Sequence, residues 1–274
     1  MSTTLTAPAP AAAKAPTAGP SYAPIPFSRV VSVELRKMFD TRSGFWLMAG
    51  IVGLALLATG AVVLFAPDEE LRYGSFGAAV GIPMAIILPV IAILSVTSEW
   101  SQRSGLSTFT LVPHRGRVIA AKALLSVVIG VVGMAIAFAV GALGNIVGSQ
   151  LAGVDTVWDT GWQSFTLLTL GNVLGLMIGF TLGVLLRNSA GAVVGYFVYN
   201  FVLVGLTEVL AASQEWFRDI RGWVDFNFAQ GPLFMADDTW PTATEWAHLG
   251  VTGLFWLVIP LAAGLAMVMR SEVK

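Results

Sequence analysis

The chain has 274 residues, of which 56% are hydrophobic and 11% charged, and its formal net charge is −1. This composition leaves no room for a sizeable soluble domain beside a membrane body, and the net charge gives no basis for nucleic-acid binding. Cysteine is absent, which excludes disulfides and cysteine-based zinc or iron–sulfur sites. The two histidines, His114 and His248, are predicted to lie on opposite faces of the membrane, so no metal site is expected.

Residues 1–26 are rich in alanine, proline and threonine and are predicted to be a disordered cytoplasmic tail. Residues 27–274 are expected to form one membrane domain. From Phe27 onward, apolar residues recur at helical spacing and alternate with charged ones, among them Glu34, Arg36 and Lys37. This pattern predicts an amphipathic helix in the inner headgroup layer. The alternative is a cytosolic extension of the first span.

Six long apolar runs, each near the ~20 residues that cross a bilayer, predict an all-α polytopic protein with six transmembrane helices. They lie near residues 45–66, 76–97, 123–147, 165–186, 190–212 and 249–269. With the amino terminus inside, all 15 Lys and Arg residues except Arg72, Arg218 and Arg221 fall on the inner side. The positive-inside rule therefore predicts that both termini are cytoplasmic, and the plasma membrane is the expected location.

The hydrophilic segment 99–117 joins spans two and three on the predicted cytoplasmic side. Pro113 and Gly116 are expected to end a short helix around residues 101–111, which exposes basic and hydroxyl side chains. Such a helix suits docking of a soluble partner. The alternative is a solvated basic loop that obeys only the topology rule.

Span four carries glycines at four-residue spacing, which predicts a face for close helix packing. They are Gly171, Gly175, Gly179 and Gly183. Packing within the bundle is favoured over a subunit interface. Prolines in spans two and six, Pro83, Pro89 and Pro260, predict kinks.

Polar residues within the spans are candidates for a substrate path, because they are costly in lipid unless they are paired or wet. They are Glu208, near the outer end of span five, together with Asn172 and Asn200. The alternative for Glu208 is that its shallow carboxylate simply reaches water. In the outer segment 213–245, Trp216, Ile220 and Trp223 follow helical spacing and predict a second amphipathic helix, on the outer leaflet.

The order of these features resembles the permease subunit of the ABC-2 transporter family. The resemblance covers nearly the whole chain from Phe27 and is carried by the entry helix, the first span and a motif before span three. The entry helix ends in Val33-Glu34-Leu35-Arg36-Lys37, and the motif comprises Glu99, Arg103-Ser104-Gly105, Thr108, Leu111-Val112-Pro113, Arg115 and Lys122.

The resemblance implies a half-transporter that pairs with a second permease, identical or different, and with two cytoplasmic ATPase subunits. It makes segment 99–117 the coupling helix, with Glu99, Arg103, Gly105, Thr108, Pro113 and Arg115 as the coupling residues. ATP and Mg are then expected on the partner, since the chain has no G-x-x-x-x-G-K-[ST] loop and is expected to bind no cofactor.

The expected function is outward export of an apolar or amphipathic compound, such as a lipid, drug or natural product, by a chain that is not itself an enzyme. Three alternatives stay open. An ion channel or proton-coupled carrier favours several inward-facing ionisable groups. An intramembrane enzyme requires a catalytic dyad, and neither histidine has a convincing nucleophile nearby in the sequence. A membrane scaffold without transport is the third.

Overall fold

The structure is a computed structural model, and it describes residues 25–40, 42–101, 115–235 and 238–270. Within these ranges the chain is all-helical, and the only β pairing is an isolated bridge between Arg72 and Val157. The helices are α1 Phe27–Asp40, α2 Arg42–Phe65, α3 Tyr73–Ser101, α4 Arg115–Ala152, α5 Trp162–Leu186, α6 Ser189–Ser213, α7 Glu215–Val224, α8 Phe226–Ala229 and α9 Ala243–Arg270. Nearly all of the predicted tail 1–26 lies outside the described residues.

Five helices, α3, α4, α5, α6 and α9, are long and apolar enough to cross a membrane. The shortest have 25 residues, which rise roughly 37 Å and exceed the ~30 Å hydrocarbon core. The chain is therefore a multi-pass membrane protein. The predicted first span corresponds to α2, whose apolar part Ala49–Phe65 is shorter, so a sixth crossing stays a prediction.

The bundle is built around α5. In the most apolar window of α5, 61% of the residues are buried, compared with 6% for α6 and 17% for α9. The most extensive contact joins α5 to α3, and the main apolar core lies where α2, α3, α4 and α5 meet. Helices α6 and α9 thus leave most of their apolar surface facing away from the fold.

Glycines bring α5 into close contact with α3. A Cβ added at Gly179 would lie 2.8 Å from the backbone oxygen of Pro89, and one at Gly183 would collide with the Val96 side chain. These two positions have no space for a larger residue, so packing by backbone approach fixes the pair of helices.

The other two glycines of this face, Gly171 and Gly175, differ in the space around them. Gly171 lies beneath the ring of Phe234, which a Cβ would approach to 2.6 Å. At Gly175 a Cβ would meet nothing closer than the hydroxyl of Tyr196, at 3.8 Å. The four-residue stripe therefore serves packing within this chain at three of its positions and is open at Gly175.

A hydrogen bond from α6 satisfies the backbone carbonyl that Pro89 leaves without a partner in α3, and a kink there stays a prediction. Pro89 has no N–H, so the carbonyl of Ala85, four residues earlier, cannot make its usual helical hydrogen bond. The hydroxyl of Tyr196 donates to that carbonyl oxygen over 2.7 Å. Helices α6 and α9 each contain a π-helical turn, at Val198–Leu203 and Leu254–Val258, and the second ends two residues before Pro260.

Candidate functional site

Four charged residues meet at one end of the bundle, and they are called the charge cluster below. Glu34 and Lys37 lie on α1, Glu99 lies in the last turn of α3, and Lys122 lies near the start of α4. Two carboxylates and two ammonium groups make the cluster electrically neutral. Three separate helices are therefore joined through it.

The four side chains form a ring of four ion pairs. Lys122 Nζ lies 2.6 Å from Glu34 Oε2 and 3.2 Å from Glu99 Oε1. Lys37 Nζ donates to Glu34 Oε1 over 2.8 Å and to Glu99 Oε1 over 3.2 Å. Lys122 also donates to the backbone oxygen of Ser95 over 2.9 Å, while its short contact with Glu34 is an ion pair without hydrogen-bond alignment.

The cluster is almost dry. Glu34, Glu99 and Lys122 are each less than 5% exposed, whereas the side chain of Lys37 is 41% exposed. Burial alone would lower the pKa of Lys37, but its hydrogen bond with Glu34 and the charges of Glu34 and Glu99 raise it above the usual value. Desolvating these charges costs several kcal/mol per ion, which their mutual attraction offsets only while every partner is present.

The cluster contains residues from both sides of segment 102–114. Helix α4 has 38 residues and is roughly 57 Å long, so one or both of its ends extend beyond a ~30 Å hydrocarbon core. Glu99 precedes residues 102–114 and Lys122 follows them. Both ends of that segment are thus tied to each other and to α1.

Most of the predicted coupling residues, Arg103, Gly105, Thr108 and Pro113, lie outside the described residues. Arg115 begins α4, and its guanidinium donates to the backbone oxygen of Val268 near the end of α9 over 3.0 Å.

Glu99 has a role inside this protein that the sequence reasoning did not foresee, and its contact with a partner stays a prediction. Of the predicted interfacial residues, Glu34 and Lys37 enter the cluster and Arg36 is exposed. Helix α1 packs through Val30 against α4, and it also exposes apolar residues such as Phe27 and Phe39.

Glu208 is not an isolated carboxylate. Arg221 on α7 makes a bidentate pair with it, at 2.6 Å and 3.1 Å, and also donates through Nε to Asp225 over 3.1 Å. The ring of Phe228 lies 4.4 Å from the guanidinium carbon of Arg221. The hydrogen bonds to Glu208 and Asp225 outweigh the effect of burial and raise the pKa of Arg221.

The two asparagines proposed for a substrate path bond within their own helices. Asn172 donates to the Leu168 oxygen over 2.9 Å, and Asn200 donates to the Tyr196 oxygen over 3.1 Å. Neither lines the pocket that contains Glu208. The structure therefore does not bring the three candidate path residues together.

Asp238, in segment 213–245, forms hydrogen bonds with the start of α5. Its carboxylate accepts hydrogen bonds from the Ser164 hydroxyl at 2.7 Å and from the Gly161 N–H at 2.7 Å and 2.9 Å. These bonds, first that of Ser164, lower the pKa of Asp238. Since Gly161 has no side chain to cap α5, Asp238 supplies that cap from a distant part of the chain.

A scan against protein-family models gives no match, and neither does a search of the curated proteins.

Proposed function

We propose that this chain is the permease subunit of an ATP-driven exporter of the ABC-2 type, which moves an apolar or amphipathic compound outward across the plasma membrane. In this proposal α2 also crosses the membrane, as the first of six transmembrane helices in chain order. Helix α1 lies in the inner interface and α7 in the outer interface. Both termini are cytoplasmic. ATP and Mg are bound by two separate ATPase subunits.

The observation that carries the proposal is the charge cluster on both sides of residues 102–114. A partner that pushes on this segment pushes on the end of α3 and the start of α4 together, because Glu99 and Lys122 share ion pairs. Glu34 extends the connection to α1. The three helices then move as a unit, or the cluster separates and exposes charges that are costly to leave unpaired.

A second subunit is supported by the two peripheral helices. The exposed side of α6 carries large apolar residues such as Val194, Phe201 and Val209, each more than 60% exposed. Such a face suits lipid or another apolar helix. A second permease copy, identical or different, is the partner that this proposal assigns to part of that surface.

The orientation is tested by labelling single cysteines, which the cysteine-free chain permits without background. Cysteine at Ser104 is expected to react only with reagents that reach the cytoplasm, and cysteine at Asp155 with impermeant reagents added outside. Labelling of Ser104 from outside in intact cells would reverse the layout and end the proposal.

Docking is tested by co-purification of this chain with an ABC-type ATPase subunit from the same cells. The wild-type chain is expected to retain the ATPase, and a variant with residues 103–111 replaced by a Gly/Ser stretch is expected to lose it. Because a long loop closes at small entropic cost, the variant chain should still fold. A Gly/Ser replacement of the exposed stretch 153–155, which lies outside any helix, controls for altered expression. Equal ATPase recovery with all three chains would contradict the proposal.

A further inference from the structure

We propose that a pocket at the outer end of α6 binds an amphipathic organic cation. The inference deepens the proposed export function, on which it rests for its physiological meaning, by naming a substrate class. The pocket has a volume of about 420 Å³, within the ~300–1,000 Å³ typical of small-molecule sites. It lies between α6, α7, the segment after α8 and the first turns of α9.

The walls suit an apolar body. Val204, Phe228 and Met235 line the pocket, and the last two are about half exposed. A mainly apolar wall with a few polar groups is the usual composition of a ligand site. A neutral hydrocarbon would fit these walls, so the polar groups decide which compounds are preferred.

The polar groups leave an excess of negative charge. Glu208, Glu245 and Arg221 line the pocket, and Arg221 is the one Lys or Arg among the described lining residues. Its Nη1 and Nη2 donate to Glu208 and its Nε to Asp225, so its charge is already balanced by two carboxylates. With His248 counted neutral, Glu208 and Glu245 against Arg221 give the lining residues a net charge of −1, and Asp225, paired with Arg221 from outside the pocket, brings the region to −2.

This arrangement discriminates by the sign of the ligand charge. A lipophilic cation keeps its apolar body against the walls and brings its charge beside carboxylates. An anion of the same shape meets the same walls and is repelled. The side chain of Glu208 remains 60% exposed even while paired, so its oxygens are accessible to an approaching cation.

The test uses tetraphenylphosphonium and tetraphenylborate, two ions of nearly the same shape and opposite charge. The purified chain alone is placed in lipid nanodiscs, and saturable binding is measured above that of empty nanodiscs. Tetraphenylphosphonium is expected to bind at least ten times more tightly than tetraphenylborate. Equal binding, or tighter binding of the anion, would overturn the inference, as would cation binding no greater than in empty nanodiscs.

Two variants locate the binding. Glu208→Gln is expected to weaken cation binding by about two- to five-fold, the range for a partly exposed charge. Asp219→Asn removes the same charge from an exposed position on α7 outside the pocket and is expected to leave binding within two-fold. If both variants weaken binding equally, the effect belongs to the general surface charge and the pocket is not the site.

Gly231→Trp tests the cavity itself. Gly231 lines the pocket, and a Cβ there meets no atom within 4 Å, so the first atom of a larger side chain causes no clash. Cation binding is expected to fall by more than ten-fold, and unchanged binding would contradict the site. Since no ATPase is present in these assays, failure of co-purification and failure of cation binding are separate results.

Discussion

Lys122 Nζ lies 2.6 Å from Glu34 Oε2, and both side chains are at most 5% exposed. This ion pair joins a helix that precedes the first apolar run to the helix that follows residues 102–114. It is strong only in its context, because each charge has been taken out of water and depends on the other. Substitution of Lys122 tests this mutual dependence, and substitutions of Gly179 and Tyr196 test the packing of the bundle.

Lys122→Met is expected to destabilise the protein by about 3–5 kcal/mol, because it leaves two buried carboxylates with the half-exposed Lys37 alone. The measurement is thermal unfolding of the purified chain in detergent. Arg36→Met is the control, since Arg36 is exposed on the same helix as Glu34. Equal unfolding temperatures for the two variants would show that the cluster is not a dry, interdependent unit. Adding Glu34→Gln to Lys122→Met is expected to recover part of the loss.

Gly179→Ala is expected to destabilise the bundle by about 1–3 kcal/mol, the usual cost of overpacking. Its Cβ would lie 2.8 Å from the Pro89 backbone oxygen, which has no flexible way to move aside. Gly175→Ala, one turn earlier on the same face, is the control and is expected to change stability by less than about 0.5 kcal/mol. The comparison uses folded yield and unfolding temperature. A Gly175→Ala loss as large as that of Gly179→Ala would contradict the assigned packing.

Tyr196→Phe is expected to cost about 0.6–1.7 kcal/mol, the range for interhelical hydrogen bonds in membranes. The change removes the hydroxyl that donates to the Ala85 carbonyl, which has no helical partner because Pro89 lacks an N–H. Tyr199→Phe is the matched control, because the Tyr199 hydroxyl is buried without a hydrogen-bond partner among the described residues. Thermal unfolding should therefore separate the two variants. If Tyr199→Phe destabilises the protein more than Tyr196→Phe, the stabilising role assigned to the Tyr196–Ala85 hydrogen bond is wrong.

Attachment of the outer segment is expected to weaken in acid. The pKa of Asp238 in the folded protein lies below its ordinary value of 3.8. Its hydrogen bonds are therefore fully present above that value and are lost as pH falls through the lower folded value. Limited proteolysis of segment 230–242 should be slow at pH 5 and become faster only below pH 3.8, as pH falls through the lower folded value.

Asp238→Asn is expected to show the fast proteolysis already at pH 5, because an amide oxygen is a weaker acceptor for the N–H groups at the start of α5 than a carboxylate. Cleavage that is equally slow in this variant at both pH values would show that Asp238 does not hold the segment.

The sequence predicts the long helices well because a bilayer requires continuous apolar runs, a strong local signal. Periodicity over a few turns also indicates helices where α1 and α7 lie, while their placement at the two membrane interfaces stays a prediction. The short apolar part of α2 shows the limit of this reasoning. Length and hydropathy alone do not establish whether that helix crosses.

The charge cluster was not predictable in the same way. Glu99 and Lys122 flank a hydrophilic segment, where charges are expected for topology alone, and nothing in the local pattern indicates that they meet Glu34. One feature of the sequence does point to the cluster: Glu34 and Glu99 are acids in predicted inner segments whose other charged residues are mostly basic. The sequence presents Glu208 as an isolated acid, because its partner Arg221 lies in the next helix, where the amphipathic pattern predicts a solvent-facing residue.

ATP hydrolysis by the co-purified complex measures whether the charge cluster transmits movement of segment 102–114 into the bundle, as proposed above. Glu99→Gln combined with Lys122→Met removes one opposite-charge pair and retains Glu34 and Lys37. The account predicts that the ATPase still co-purifies, and that the hydrolysis rate of the complex falls to that of the ATPase alone. A complex of this variant that hydrolyses ATP at the wild-type rate would contradict the claim.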